Sequence, residues 1–122
     1  MELKKLGVEM TICKVADTSE IKFAEDYCFF AKTDEENSLV CQTKHTPTNT
    51  TQRDDNWEGF RIQGVLDFSM VGILAKISKI LADNKIGLFV ISTYNTDYVL
   101  TKKDNFIKAL TVLEKAGYEV ID

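Results

Sequence analysis

The sequence predicts an α+β fold, and its second half predicts a definite order of elements. Apolar residues recur with helical spacing in two places, and short runs rich in β-branched and aromatic residues flank both. From residue 60 onward the order is strand, helix, strand, strand, helix, strand. This is the ferredoxin-like βαββαβ arrangement, in which both helices cover one face of an antiparallel sheet. The other face is expected to pack on the first half of the chain or on a second copy.

The first helix of this half follows a strand candidate, FRIQGVLDF, at residues 60–68. The positions of its apolar stripe are Ile73, Leu74, Ile77, Ile80 and Leu81. Full burial of such a side chain is worth about 1.5 to 3 kcal/mol, so five of them predict a helix docked on a sheet. Ser69 is of a suitable type to cap the start of this helix.

Two strands and a second helix complete the half. IGLFVISTY, at 86–94, is apolar on both alternating faces, as in an inner strand, and DYVLT, at 97–101, follows after a tight turn. Thr101 and Asp104 have the spacing of a capping box, and an apolar stripe follows them. Gly117 is expected to end this helix in the left-handed conformation, and YEVI forms the last strand.

The first half of the chain reads as strands joined by polar segments. Alternating apolar residues occur at 8–12, and the runs at 27–33 and 38–42 predict a hairpin with a polar turn between its strands. Residues 44–56, KHTPTNTTQRDDN, are polar, contain the one proline and lack periodicity, so they predict a loop or boundary.

Composition and charge restrict the kind of partner. The 122 residues carry a net charge of −4, which disfavours nucleic acid and anionic membranes. The chain shows no signal peptide or transmembrane run, so a soluble, cytoplasmic protein is expected. Cys13, Cys28 and Cys41 are odd in number and lack C-x-x-C spacing, and we expect them to be reduced and mostly buried.

The segments LDFSMVGILA, IGLFVISTYNTDYVL and AGYEV together resemble the ACT domain, in particular the tandem ACT-like family of cytosolic arginine sensors and small bacterial proteins. CFFAKTDEENSLVCQTK, followed by a polar segment and W-x-x-F-R-I-x-G, is similar to the N-terminal half of that family. The resemblance implies an N-terminal ACT-like half, residues 1–59, packed against a C-terminal ACT domain, residues 60–122. No helix with a complete stripe precedes Lys44, which departs from a standalone ACT domain.

The resemblance implies a regulatory module that binds amino acids and has no chemistry of its own. The residues are compatible with that: the free N–H groups at a helix start suit a carboxylate, Gly72 leaves space, and Asp67 can pair with an ammonium group. The candidate ligand-binding residues are Asp67, Phe68, Ser69, Met70, Val71, Gly72, Ile73, Leu74, Ile91, Ser92, Thr93 and Asn95. No cofactor or metal site is expected. The expected partners are a free amino acid or a similar metabolite, a second copy in a homodimer, and a regulated partner protein.

Alternative interpretations remain open at this point. Ser69 and Asp67 can serve only as helix caps, and the polar residues after Ile91 can serve only the turn. Catalysis by Cys41 with His45 lacks an orienting third group. An acylphosphatase-like enzyme needs an arginine after the loop that follows the first strand, whereas Arg61 precedes it. A purely structural dimerisation module is compatible with every residue.

Overall fold

The computed structural model describes residues 1–64 and 71–122. Its strands are β1 (Glu2–Lys5), β2 (Met10–Val15), β3 (Phe29–Lys32), β4 (Asn37–Gln42), β5 (Thr50–Ile62), β6 (Phe89–Ser92), β7 (Asp97–Lys102) and β8 (Glu119–Ile121). Its helices are α1 (Ile73–Asp83) and α2 (Lys103–Lys115), and a 3₁₀ turn spans Thr43–His45. The chain divides into two units, and β5 contributes residues to both.

The C-terminal unit contains Met1–Gly7 and Glu58–Asp122. From β5 onward its order is strand, helix, strand, strand, helix, strand, which confirms the predicted ferredoxin-like α+β fold. The strands lie in the order β6, β7, β5, β1, β8. β1 runs antiparallel to β5 and parallel to β8. This strand, from the start of the chain, therefore lies between β5 and β8.

The core of this unit lies between the helices and one face of the sheet. Its buried residues are Leu3, Phe60, Ile62, Ile77, Leu81, Ile86, Val99, Phe106, Ala109, Leu110 and Leu113. Ile77 and Leu81 belong to the predicted stripe of α1, and Ile73, Leu74 and Ile80 pack against the same core while remaining partly exposed. Burial of this stripe on the sheet positions the start of α1.

The N-terminal unit, Val8–Trp57, contains strands in the order β3, β4, β2, β5. All pairs in it are antiparallel. Its core is formed by Cys13, Val15, Leu39 and Cys41, with Ile21, Cys28 and Phe30 packed against them. Its residues form no α-helix, and the 3₁₀ turn is its one helical segment.

The prediction that residues 44–56 form a loop was wrong for the second part of that segment. β5 begins at Thr50, and this end of the strand pairs with β2 through Val15↔Thr50 to Ile12↔Asp54. Its side chains are mostly exposed on both faces, and therefore no apolar alternation marks it. β5 ends at Ile62, and residues 65–68 of the predicted strand lie outside the described residues.

Both helix starts differ from the expectation, whereas the end of α2 agrees with it. The residue preceding α1 is Gly72, with no side-chain cap hydrogen bond, instead of Ser69. At α2 the preceding residue is Lys102, and the Thr101 hydroxyl donates to the Lys102 carbonyl, so no capping box forms. Gly117 has φ +103°, which confirms the left-handed stop.

Candidate functional site

The first turn of α1 is where the sequence places the centre of the ligand site. Gly72 precedes the helix with φ +82°, a left-handed conformation that glycine adopts at little cost. The Lys76 N–H donates to the Gly72 carbonyl at 3.0 Å and closes the first turn. The N–H groups of residues 73–75 have no intrahelical acceptor, and no other described residue accepts a hydrogen bond from them.

An open cleft of about 350 Å³ lies at this helix start, within the C-terminal unit. Described residues from the start of α1 and from the end of α2 line it, and Met1 completes the wall. These residues are Met1, Val71, Gly72, Ile73, Lys76, Ala116, Gly117 and Tyr118. A volume of this size lies within the range of small-molecule sites.

The described walls of the cleft suit an anionic group. Lys76 is an exposed ammonium on the same helix face as the free N–H groups, and the helix dipole adds positive potential there. Gly72 and Gly117 have open space where a Cβ would lie, with no heavy atom within 4 Å. A ligand can therefore approach the backbone at both helix ends. Carboxylate oxygens accept hydrogen bonds from N–H and ammonium donors of this kind.

The turn between β6 and β7 uses the hydroxyl groups that were expected at the site. Ser92 Oγ donates to Asp97 Oδ1, and Thr93 Oγ1 donates to the Thr96 carbonyl at 2.9 Å. Thr96 Oγ1 donates to the Ile62 carbonyl at 2.7 Å, which ties the turn to β5. Among the described lining residues of the cleft, none comes from this turn.

The structure thus brings together part of the predicted set. Val71, Gly72 and Ile73 line the cleft. Leu74 packs towards the core, and Ile91, Ser92, Thr93 and Asn95 lie on β6 and in the turn that follows it. Asp67, Phe68, Ser69 and Met70 lie outside the described residues.

Sequence reasoning missed the wall that the end of α2 supplies. Gly117 and Tyr118 were assigned only to the helix stop and the last strand, although they belong to the AGYEV segment that carries the family resemblance. Tyr118 packs against the core, and this burial raises the pKa of its phenol. Lys76 could have been predicted from the sequence. It follows Gly72 by four residues, and residues i and i+4 lie on the same helix face.

A family model described as ACT domain matches residues 52–115, which is more than half of the chain. With the ferredoxin-like order of its C-terminal unit, this match shows that the chain belongs to the ACT domain family. No curated protein sequence matches it significantly. Among the described residues, no helix is both long enough and apolar enough to cross a membrane.

Solved structures with similar folds cover nearly the whole chain. Protein Atu0741 from Agobacterium tumefaciens is similar with a TM-score of 0.87 and 27% identity, covering 98% of this chain and 91% of that one. The regulatory subunit of aspartate kinase from Thermus thermophilus, in a ligand-free form, gives 0.60 and 12% identity, with 90% and 93% covered. Aspartate kinase from Clostridium acetobutylicum, described as an allosteric enzyme, gives 0.62 and 16%, with 93% and 33% covered.

Proposed function

We propose that this protein is a regulatory or sensory module that binds a free amino acid, or a close amino-acid-like metabolite, without chemistry of its own. The observation that carries the proposal is the open cleft at the first turn of α1, where Lys76, free helix N–H groups and two glycines meet. Membership of the ACT domain family supports a ligand-binding role. The fold likeness to a regulatory subunit of aspartate kinase is consistent with regulation.

The ligand carboxylate is proposed to accept hydrogen bonds from the first N–H groups of α1 and to face Lys76. The sequence places Asp67 five residues before Gly72, and we propose that its carboxylate pairs with the ligand ammonium. A helix terminus contributes about 0.3 to 2 kcal/mol, whereas micromolar affinity needs about 8 kcal/mol. Further contacts are therefore required, and Met1, Ile73 and Tyr118 are among the described lining residues that can contact the ligand side chain.

We further propose that the protein acts as a homodimer that regulates a partner protein. In the C-terminal unit β6 and β8 each pair with a single described strand, so each offers an edge. Pairing of identical edges about a two-fold axis is the simplest closed assembly. A second copy at such an edge can also supply the contacts that select the ligand side chain.

A cytoplasmic location agrees with the state of the cysteines. Cys13, Cys28 and Cys41 are free thiols in the structure. Free thiols persist where glutathione and thioredoxin keep the compartment reducing. We therefore propose that the module senses a cytoplasmic metabolite.

Calorimetry of the native protein against each of the twenty amino acids tests the proposal. We expect at least one to bind, and Asp67→Ala to weaken that binding by about 1.5 to 3 kcal/mol through the loss of a charge-assisted hydrogen bond. Gly72→Val is expected to weaken it further, because a branched side chain would occupy the approach to the helix start. Circular dichroism of both variants serves as the folding control. Absence of heat from the whole panel would reject the amino-acid hypothesis and leave a structural module.

A further inference from the structure

Three cysteines that are far apart in sequence lie close together in the core of the N-terminal unit. Cys13 lies on β2, Cys41 on β4, and Cys28 immediately before β3. All three belong to the same small core, where Cys13 and Cys41 are buried and Cys28 is partly buried. The thiols come from three neighbouring strands of one sheet, because β4 pairs with both β2 and β3.

Strand pairing restricts which thiols can bond. The last pair of the β3–β4 ladder is Phe29↔Val40, and beyond it Gln42 Nε2 donates to the Asp26 carbonyl at 3.0 Å. The chain before β3 therefore continues beside β4, which brings Cys28 near Cys41. Cys13 faces Leu39, so it is a diagonal neighbour of Cys41. Directly opposite residues have Cβ atoms about 4.5 to 5.5 Å apart, whereas diagonal Cα atoms are about 7 to 8 Å apart. A disulfide needs Cα atoms closer than about 7 Å. Cys28 shares a cavity with Cys41, and Cys13 is not among the described residues that line this cavity, so we take Cys28 as the partner that oxidation would join to Cys41.

A small cavity adjoins this pair. Cys28 and Cys41 line it together with Glu25, Gln42 and His45, and its volume is about 10 Å³, close to that of one water-sized molecule. The Nδ1 atom of His45 is buried without a hydrogen-bond partner among the described residues. A small hydrogen-bonding molecule in the cavity can supply that partner.

Hydrogen bonding distinguishes Cys41 from the other two thiols. Cys41 Sγ lies 3.8 Å from Thr46 Oγ1, but the Thr46 hydroxyl already donates to the Thr43 carbonyl at 2.8 Å. Of the hydrogen bonds from Thr46 and Cys13, that from the Cys13 thiol has the larger effect on the pKa of Cys41. This hydrogen bond lowers the pKa of Cys41 to about 7 and raises that of Cys13, while burial raises that of Cys28. Of the three thiols, Cys41 is therefore the one that ionises at the lowest pH.

We propose that Cys41 and Cys28 form a site of reversible oxidation by hydroperoxides, which yields a disulfide between the start of β3 and β4. The Cys41 thiolate attacks one peroxide oxygen, the O–O bond breaks, and hydroxide leaves and takes up a proton as water. Cys41 is then a sulfenic acid and the peroxide is reduced. The Cys28 sulfur attacks the Cys41 sulfur, the S–O bond breaks, and the hydroxyl leaves with the Cys28 proton as a second water. This site is independent of the amino-acid cleft.

The tryptic map of the chain allows a direct test with hydrogen peroxide. Trypsin cleaves after the lysines at positions 5, 14, 22, 32 and 44. Cys13, Cys28 and Cys41 then lie on separate peptides, 6–14, 23–32 and 33–44 respectively. The folded, reduced protein is treated with peroxide, its remaining thiols are blocked, and the digest is analysed without reductant by mass spectrometry. We expect loss of two of the three thiols, an intramolecular link between peptides 23–32 and 33–44, and its disappearance with dithiothreitol.

Three variants complete the test. Cys13→Ser is expected to keep the 23–32 to 33–44 link, whereas Cys28→Ser is expected to lose it and to accumulate a Cys41 sulfenic acid that dimedone traps. Cys41→Ser is expected to lose both products, and Cys28→Ser decides alone if Cys41→Ser does not fold. The proposal is overturned if peptide 6–14 carries the native link, if the link joins two chains, or if all three thiols survive peroxide.

Discussion

Lys76 and Gly72 lie one helical turn apart and give the cleft its polarity. Gly72 contributes the absence of a side chain, and Lys76 contributes an exposed positive charge. An exposed ammonium is well hydrated, so its attraction for a carboxylate is small unless backbone N–H groups bind the same anion. At the residue scale the cleft is therefore expected to depend on several weak donors acting together.

Lys76→Met is expected to weaken binding of the amino acid found in the calorimetric panel by about 1 kcal/mol, or about fivefold in Kd. The loss is one charge-assisted contact at a solvent-exposed position. Lys79→Met is the matched control, because Lys79 is an exposed lysine on the same helix that pairs with Asp83 at 3.0 Å and is not among the described residues lining the cleft. Calorimetry at one ionic strength measures both. Equal effects of the two substitutions would contradict the placement of the carboxylate beside Lys76.

Thiolate absorbance is expected to rise through a midpoint near pH 7, below the ordinary thiol value of 9.0. Cys41 gains this shift mainly from the Cys13 hydrogen bond. Burial opposes it, Thr46 and Arg53 lower the pKa further, and Asp55 raises it. Because the folded pKa is lowered, the ionised thiol stabilises the fold above the unfolded value, and that contribution is lost as pH falls through about 7.

Three variants assign this titration. Cys13→Ala removes the donor and is expected to move the ultraviolet midpoint upward, whereas Cys28→Ser is expected to leave it near the native position. His45 and Cys28 face the same cavity as Cys41, so the histidine variant His45→Gln completes the set. A midpoint that stays the same without Cys13 would show that the hydrogen bond between the thiols does not control ionisation.

β5 is the element that must fit most closely to its neighbours. At Gly59 a Cβ would meet the side chain of Leu100 and would lie 2.9 Å from the Val99 carbonyl oxygen. The Leu6 N–H also donates to the Gly59 carbonyl at 2.9 Å. Glycine at this position is therefore explained by the close approach of β7, since Gly59 itself does not have a positive φ.

Gly59→Ala is expected to lower the free energy of unfolding by about 1 to 3 kcal/mol, because the buried Leu100 and the backbone of β7 must shift. Gly87→Ala is the control, since a Cβ at Gly87 meets no atom within 4 Å. Its effect is expected to stay within about 0.5 kcal/mol. Urea denaturation followed by circular dichroism compares the two. If Gly59→Ala leaves the free energy of unfolding unchanged, β5 and β7 separate more easily than the structure indicates.

At the scale of the whole molecule, the proposed homodimer is the property that joins binding to regulation. Sedimentation equilibrium at micromolar concentration is expected to give twice the mass of one chain. If the ligand contacts both copies, the bound amino acid is expected to lower the dimer dissociation constant. A monomer with and without amino acids would contradict the assembly, and would leave the cleft of a single chain as the complete site.

The helices and inner strands could be predicted because the buried positions of a helix or strand recur at a fixed spacing, which is visible in the local sequence. The stripe that includes Ile77 and Leu81 is visible without any knowledge of what covers it, and so is the order from β5 to β8. Gly117 is likewise a local signal, because a left-handed residue favours glycine whatever surrounds it.

Only the tertiary structure decided which distant segments meet. β1 is short and mostly charged, with Leu3 as its fully buried side chain, and pairing with β5 and β8 makes it a strand. The polar start of β5 is held by backbone hydrogen bonds to β2, which do not depend on side-chain type. The difference between the predicted and the observed site has a similar cause. A helix start is a local feature of the sequence, whereas the position of Gly117 and Tyr118 beside it depends on contacts between distant residues. The same is true of the three cysteines in the N-terminal core.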